Sequence, residues 1–344
     1  MRRGIAMGGA VLGAGILCTG LWVAHELRPA SRAARRVIVT ITPGMRLESM
    51  STALRSRGLI RSTTVFLWAA RLRGVPEHPR PGRYAFSTAM SAVQIADRLA
   101  KGETGINEIR VTIPEGYSLR QIAKALVRRG ILRDEAAFLE VAKKPAGRVR
   151  TPFSLPATGL EGFLFPDTYW FPPGARPERV AQEMVDTFVR RFYVPNRADI
   201  VASGRSLPAI VTVASLVERE AKTDADRPKI AGVIYNRLAR RMPLQVDATV
   251  LYALGHHKSR VLYSDLRVAS PYNTYRRRGL PPGPIASPGL PSLEAALHPE
   301  HSNYLYYVAG PDGAHIFSRT EAEHLQWVSR LRALRARSSS GGSG

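Results

Sequence analysis

The sequence predicts an α+β protein in three parts: an N-terminal transmembrane helix, a small α/β module and a larger mixed α+β domain. Three observations lead to this prediction. Residues 4–24 carry no charge, residues 39–70 recur without a gap as residues 111–142, and the second half mixes helical apolar runs with short strands. At 344 residues the chain is long enough for two or three domains.

The N-terminal element is GIAMGGAVLGAGILCTGLWVA, residues 4–24. As a helix it would be about 30 Å long, which matches the hydrocarbon core of a bilayer. It is also longer than the apolar region of an ordinary signal peptide. We therefore predict a membrane helix between a short cytoplasmic tail, residues 1–3, and a basic connector, residues 25–36. The arginines of that connector weigh mildly against an outward-facing body.

The repeat defines the next element. Each copy contains a VTI strand, a glycine turn, an amphipathic helix, a glycine stop and a second helix. The first copy belongs to a predicted module, residues 37–108, which adds a strand around Arg83 to Phe86 and a helix from Ser91. One strand with two short helices resembles a lysin-motif glycan-binding module, although simple structural packing explains the pattern equally well.

The remaining domain is predicted at residues 109–332 and includes the second copy of the repeat. Its periodicity predicts helices from Pro177, from near Leu207 and over about Asp226 to Arg240, followed by a hairpin in residues 303–320. The proline-rich segment 269–291 predicts a functional loop. The final SSSGGSG is low in complexity, and we predict a disordered tail over residues 333–344.

The composition limits the kinds of partner and cofactor that the protein can be expected to use. Fifty Lys plus Arg against 27 Asp plus Glu give a net charge of +23, which predicts an anionic partner such as nucleic acid, lipid headgroups or an acidic polymer. The single cysteine, Cys18, lies in the apolar stretch, and histidines 256, 257, 298 and 301 lack metal-site spacing. With no nucleotide or serine-hydrolase motif, we expect neither a metal nor a cofactor.

The strongest candidate for catalysis is Glu218. It follows the apolar run that begins at Ala209, and on a helix it shares a small, mostly apolar face with Val211, Ala214 and Ser215. Burial and the negative end of the helix dipole favour the protonated carboxyl, which a general acid needs. A solvated helix terminus is the alternative. Glu220 lies about 200° further round the helix, so we predict a supporting or substrate-binding role.

Two further segments predict saccharide contacts. In LQVDATV, Gln245 and Asp247 would share one face of an extended strand, although Asp247 could instead cap the following helix. The segment YNTY predicts sugar stacking and hydrogen bonding to an N-acetyl group, with a plain turn as the alternative. The arginines that follow predict contact with substrate carboxylates. The predicted substrate-binding residues are Glu220, Gln245, Asp247, Tyr272, Asn273, Tyr275 and Arg276.

Several motifs, in order, resemble the endolytic murein transglycosylases of the MltG (YceG-like) family. The resemblance runs from about Val37 to Arg332. The matching segments are EGFLFPDTY at 161–169, ASLVEREA at 214–221, GVIYNRL at 232–238, LQVDATVLYALG at 244–255, SPYNTY at 270–275, GLPPGPIASPG at 279–289 and AALHPEHSNYLYYVA at 295–309.

This resemblance implies a single-pass protein of the cytoplasmic (inner) membrane with its catalytic domain on the periplasmic or extracellular side. It implies internal cutting of peptidoglycan strands between N-acetylmuramic acid and N-acetylglucosamine, leaving 1,6-anhydro ends and terminating nascent strands. Glu218 would act as general acid and then as base. Peptidoglycan strands and synthases of the elongation machinery are the implied partners.

Three alternatives stay open at this point. A hydrolytic muramidase would use Glu218 with Asp247, and a catalytically silent scaffold would only bind peptidoglycan. A membrane-tethered nucleic-acid binder rests on charge alone and gives the motif EGFLFPDTY no role. We therefore expect no nucleic-acid partner.

Overall fold

The computed structural model describes residues 18–104, 108–255, 258, 261–311 and 313–340. The chain divides into two compact units. The first comprises the chain up to Arg110 together with Trp170–Pro173, and the second comprises Val111–Tyr169 and the chain from Gly174 onward. Most of the predicted transmembrane helix, residues 4–24, lies outside the described residues. The described chain begins with a helix at residues 18–26, which we label α1. No helix within the described ranges has the length and apolarity needed to cross a membrane.

The first unit is built around an antiparallel pair of strands. β1 (Arg36–Ile41) pairs with β2 (Gly82–Ser87), with Val39 opposite Tyr84. Between the strands the chain forms α2 (Leu47–Ser56) and α3 (Thr63–Leu72), and α4 (Ala92–Lys101) follows β2.

The core of the first unit follows from the alternation of its strands and the apolar faces of its helices. Val39 and Ile41 point to the same face of β1 and are buried, as are Leu54 and Phe66 of the two helices between the strands. α4 begins with a capping box in which Ser91 and Gln94 satisfy each other's backbone N–H groups. The predicted strand near Arg83 and the helix from Ser91 are confirmed.

The second unit opens with the second copy of the repeat. β3 (Ile109–Thr112) pairs with β4 (Thr168–Phe171), and the helices α5 (Leu119–Arg128) and α6 (Glu135–Lys143) follow β3. Gly58 and Gly130 occupy equivalent positions after the first helix of each copy and have φ of 67° and 71°. Because L-residues rarely adopt this left-handed conformation, glycine stops the helix at the same point in both copies.

Helices dominate the rest of the second unit. α7 (Pro177–Phe188) continues into a π-helical turn at Val189–Tyr193 and is followed by α8 (Arg197–Ala202). α9 (Leu207–Glu220) packs against α10 (Arg227–Ala239), α11 (Asp247–Leu254) and α12 (Leu290–Leu297). The apolar run of α9 is buried in the hydrophobic core of this unit. The predicted helix starts at Pro177 and Leu207 are confirmed.

A hairpin and a long helix complete the chain. β5 (Tyr306–Ala309) and β6 (His315–Ser318) pair antiparallel, and α13 (Glu321–Ser340) packs on both strands. The predicted hairpin is therefore confirmed. α13 extends into the predicted disordered tail, and the first eight residues of that tail, 333–340, are helical. Charged and alanine residues of high helix propensity precede that segment and carry the helix into it.

Candidate active site

The second unit presents two glutamates in the last turn of α9. Ser206 caps the N-terminus of this helix by accepting a hydrogen bond from Ala209 N, and the helix ends at Glu220 because Ala221 is extended. Ser215, fully buried, accepts a hydrogen bond from Ile285 N at 3.1 Å and so joins α9 to the proline-rich loop. This buried helix holds Glu218 and Glu220 at fixed positions.

Glu218 is tied into the protein by three donors. Its Oε2 accepts hydrogen bonds from Gly289 N at 3.0 Å, Ser292 Oγ at 2.8 Å and Arg227 Nη1 at 3.3 Å. The Glu218 side chain is 8% exposed and that of Arg227 is 12% exposed. The predicted burial of Glu218 is confirmed, and its carboxylate links α9, α10 and the start of α12.

A further acid near Glu218 was not predicted from the sequence. Glu115, which follows β3, lies against Gly289, where a Cβ atom would fall 1.9 Å from the Glu115 carboxyl. Burial raises the pKa of Glu115, and the negative charge of Glu218 raises it further against the opposing charge of Arg227. Only the segment VTIPEG, shared in part with the first repeat, marked this position in the sequence.

Glu220 has a different environment. Its Oε2 accepts one hydrogen bond, from Tyr307 Oη at 3.1 Å, and it forms no ion pair with any residue that the structure describes. Burial raises the pKa of Glu220, the hydrogen bond from Tyr307 lowers it, and the negative charge of Asp247 raises it again. Glu220 is therefore a carboxyl group that favours retention of its proton.

The predicted saccharide residues Gln245, Asp247 and Tyr275 gather near Glu220. Gln245 and Asp247 are exposed on either side of the buried Val246, but the predicted extended strand is wrong, because Gln245 has a left-handed backbone and Asp247 begins α11. Tyr275 Oη donates a hydrogen bond to Asp247 Oδ1 at 2.5 Å. Burial raises the pKa of Tyr275, and the negative charges of Asp247 and Glu220 raise it further. Asp247 is the first residue of α11 and makes no helix-capping hydrogen bond.

The backbone is strained at Gln245, which has φ of 54°. A non-glycine residue keeps this conformation only where the surrounding structure enforces it, and such residues are concentrated at functional sites. Here Arg237 supplies that restraint. This buried guanidinium donates to the carbonyls of Leu305 at 2.6 Å, Leu244 at 2.8 Å and Pro243 at 3.2 Å. Arg237 thereby fixes the segment before Gln245 against the start of the hairpin.

A buried pair supports Tyr307 from the other side. His315 Nδ1 lies 3.0 Å from Asp226 Oδ2, and both side chains are 6% exposed. The His315 ring meets the Tyr307 ring edge to face, with centroids 5.3 Å apart. This contact holds the phenol that donates to Glu220.

Three predicted contact residues lie elsewhere. Tyr272 packs on Tyr252 with ring centroids 4.8 Å apart. Asn273 is fully buried, and its amide donates to the carbonyls of Leu266 at 2.8 Å and Val268 at 2.9 Å. Arg276 is exposed and donates to Arg267 O at 2.9 Å. Asn273 thus shapes the YNTY loop from within, while the half-buried Tyr275 contacts Asp247.

Sequence reasoning missed Tyr307, Arg237 and His315. Tyr307 lies in NYLYYVA, a segment that predicted a strand but gave no sign of which tyrosine faces α9. Within the described ranges no cluster of three or more His, Cys, Asp or Glu residues is arranged to hold a metal ion. Histidines 256 and 257 lie outside those ranges.

Comparison with known proteins adds to this geometry. The YceG-like family model matches residues 39–330. The chain belongs to the YceG-like family.

Relatives within the YceG-like family cover most of the chain. A protein of Bacillus subtilis (strain 168), named endolytic murein transglycosylase, is 36% identical over 313 residues, which is 87% of this chain and 86% of the relative. A Streptococcus pneumoniae protein of the same name is 31% identical over 92% of this chain and 62% of its own length. The crystal structure of a YceG-like protein from Listeria monocytogenes is 35% identical, with a TM-score of 0.58 over 86% of this chain.

Proposed function

We propose that this chain is an endolytic lytic transglycosylase that cuts the bond between N-acetylmuramic acid and N-acetylglucosamine within peptidoglycan strands. The relatives named endolytic murein transglycosylase support the reaction class. The observation that carries the chemistry is the environment of Glu220, a carboxyl of raised pKa with one donor, beside Gln245, Asp247 and Tyr275. The exposed Gln245 and Asp247 and the half-buried Tyr275 are suited to binding sugar hydroxyls.

The geometry favours Glu220 over the sequence-based candidate Glu218 as the catalytic acid. A general acid must carry a proton and be free to release it. Glu218 is held by the guanidinium of Arg227, which donates to its Oε2 at 3.3 Å. Its three donors also make it a structural link between helices. Glu220 forms no ion pair within the described chain, although the charges of His315 and Lys222 act on it, and Tyr307 donates the hydrogen bond to its carboxyl group.

A single carboxyl group is sufficient for the proposed reaction. Glu220 first protonates the leaving glycosidic oxygen as the bond to the muramyl C1 breaks. The resulting carboxylate then accepts the proton of the muramyl 6-hydroxyl, whose oxygen attacks C1. The new bond closes a 1,6-anhydro ring without water, and Glu220 regains its proton. Tyr307 orients the carboxyl group and stabilises its charged form between the two steps.

A hydrolytic muramidase is the second candidate, because Glu220 and Asp247 interact electrostatically across the site. In a hydrolase, a second carboxylate acts as nucleophile or activates water. Hydrolysis leaves a reducing end, whereas the lytic reaction leaves a 1,6-anhydro end. The structure of the product therefore separates the two functions.

The remaining parts of the proposal concern location and context. Residues 4–24 would anchor the protein in the cytoplasmic membrane with both described units outside, where peptidoglycan lies. The β1–α2–α3–β2 segment would bind glycan as a lysin-motif-like module. Cutting nascent strands beside peptidoglycan synthases would terminate their elongation. A silent scaffold would retain binding and show no cutting.

The test is mass spectrometry of uncrosslinked glycan strands incubated with the full chain in detergent. We expect internal fragments that end in 1,6-anhydromuramic acid. Glu220→Gln should reduce their rate of formation by about 10² to 10⁴-fold, the usual contribution of a general acid. Glu218→Gln is the matched control and should retain most of the activity.

Each other outcome assigns a different function. Loss of cutting in Glu218→Gln with activity retained in Glu220→Gln would restore the sequence-based assignment. Fragments with reducing ends would identify a hydrolase. Intact strands after incubation with the wild-type chain would favour the scaffold.

A further inference from the structure

A cationic cavity lies beside the candidate site and takes no part in the proposed reaction. Its volume is about 540 Å³, within the usual range for ligand pockets. Four cations line it, and none of them forms an ion pair in the part of the chain that the structure describes. These residues are Arg120, Lys124, Lys143 and Arg219.

Among the described residues, the one acid that lines the cavity is Glu161, which is 3% exposed. Both of its oxygens are already engaged, because Oε1 accepts from Leu119 N at 2.9 Å and Oε2 accepts from Tyr252 Oη at 2.9 Å. Glu161 therefore holds the wall of the cavity together. The charge of Arg120 acts on it, but none of the four exposed cations forms an ion pair with a carboxylate among the described residues. The cavity has a marked excess of positive charge.

Apolar side chains supply the rest of the lining. Leu139, Leu251 and Ile285 all border the cavity. A phosphate or sulfate ion would use only the cations. A ligand that matches both surfaces carries carboxylates and short aliphatic groups together, as an acidic peptide does.

The cavity adjoins the candidate site through two pairs of neighbouring residues. Arg219 lines it and lies between Glu218 and Glu220 in α9, and Ala248 lines it and follows Asp247 in α11. A ligand in the cavity therefore lies beside the last turn of α9, which carries both Glu218 and Glu220. In peptidoglycan, the peptide on the muramyl lactyl group is acidic and is covalently attached to that sugar.

We propose that the cavity lined by Arg120, Lys124, Lys143 and Arg219 binds the acidic stem peptide of a muramyl residue held at the Glu220 site. This inference rests on the proposed substrate and adds a specificity subsite to it. The enzyme would then favour strands that still carry their peptides over strands from which the peptides have been removed.

The experiment measures binding of soluble disaccharides to the full wild-type chain by calorimetry. One probe is N-acetylglucosaminyl-N-acetylmuramyl tripeptide, and the other is the same disaccharide without peptide. Neither probe contains the bond that the proposed reaction cuts, so binding is measured without turnover. We expect the peptide to lower Kd by about tenfold, as one or two charge-assisted contacts do.

A matched pair of double variants locates the effect. Arg120→Gln with Lys124→Gln should remove the preference for the peptide. Arg128→Gln with Arg129→Gln removes the same charge from exposed positions of the same helix region, outside the cavity lining, and should preserve the preference. Thermal unfolding of all proteins confirms that each variant is folded.

Other outcomes overturn the proposal. Equal binding of the two probes would show that the peptide is not recognised, and equal weakening by both double variants would show attraction to net charge alone. Tighter binding of a glycerol phosphate oligomer than of the tripeptide probe would assign the cavity to a phosphate polymer. Peptide preference without strand cutting would retain this subsite while rejecting the proposed catalysis.

Discussion

The hydroxyl of Tyr307 donates a hydrogen bond to the carboxylate of Glu220 across 3.1 Å, joining the C-terminal hairpin to the last turn of α9. These two residues are 87 positions apart in the chain. A donor of this kind favours the charged carboxylate, while burial and the charge of Asp247 favour the protonated one. The balance between these effects leads to two opposite predictions for pH dependence.

Tyr307→Phe removes the donor and should raise the pKa of Glu220 further. If Glu220 starts the reaction as an acid, activity declines as rising pH removes its proton. That decline should move to higher pH in the variant, measured as the pH profile of kcat/KM. Tyr306→Phe, on the neighbouring residue whose hydroxyl has no described partner, should leave the profile unchanged. A shift to lower pH would contradict the assignment.

Asp247→Asn removes the negative charge that raises the pKa of Glu220. The decline in kcat/KM should therefore move to lower pH, opposite to the effect of Tyr307→Phe. Asp199→Asn removes an exposed charge that does not act on Glu220 and serves as the control. A profile that stays in place would mean that Asp247 and Glu220 do not interact during catalysis.

Arg237→Lys should destabilise the second unit. Lysine cannot reproduce the planar set of donors that serves the carbonyls of Leu305, Leu244 and Pro243. Leaving buried carbonyls without donors costs about 1 to 3 kcal/mol each, so we expect a loss of about 3 kcal/mol in the free energy of unfolding. Urea unfolding measures this loss, and Arg240→Lys on the exposed end of α10 should be neutral. A loss below about 0.5 kcal/mol would show that water replaces the guanidinium.

Glu161→Gln should change how stability depends on pH. Burial raises the pKa of Glu161 from 4.5 to about 7, so the folded state keeps a proton that the unfolded state releases. Its contribution to the free energy of unfolding is full below pH 4.5 and falls by about 3 kcal/mol as pH rises to about 7.

Glutamine remains uncharged and can still form hydrogen bonds with Leu119 N and Tyr252 Oη. The free energy of unfolding of the variant should therefore not fall over this pH range. Urea unfolding at several pH values between about 4.5 and 8 is the measurement. Glu140→Gln, which changes an exposed acid paired with Arg148, should follow the wild-type curve. Parallel curves for Glu161→Gln and the wild-type chain would refute the assignment.

Local sequence signals predicted many of the secondary elements. Gly58 and Gly130 marked the ends of equivalent helices in the two repeats, and Ser91 marked the start of α4. The apolar run from Ala209 predicted a buried helix that ends in two acids. These features succeed because caps, glycine stops and periodicity act over a few residues, within one element.

The sequence by itself therefore determined the order of the elements and the burial of α9. Only the tertiary structure decided which donors reach each acid. Glu218 accepts hydrogen bonds from Gly289 and Ser292, which lie 71 and 74 residues further along, whereas Glu220 accepts one from Tyr307. Glu218 and Glu220 lie two residues apart in one helical turn, so they share most of their sequence neighbours. Their chemical difference comes from donors and charges on distant segments, which burial in a medium of low dielectric constant makes decisive.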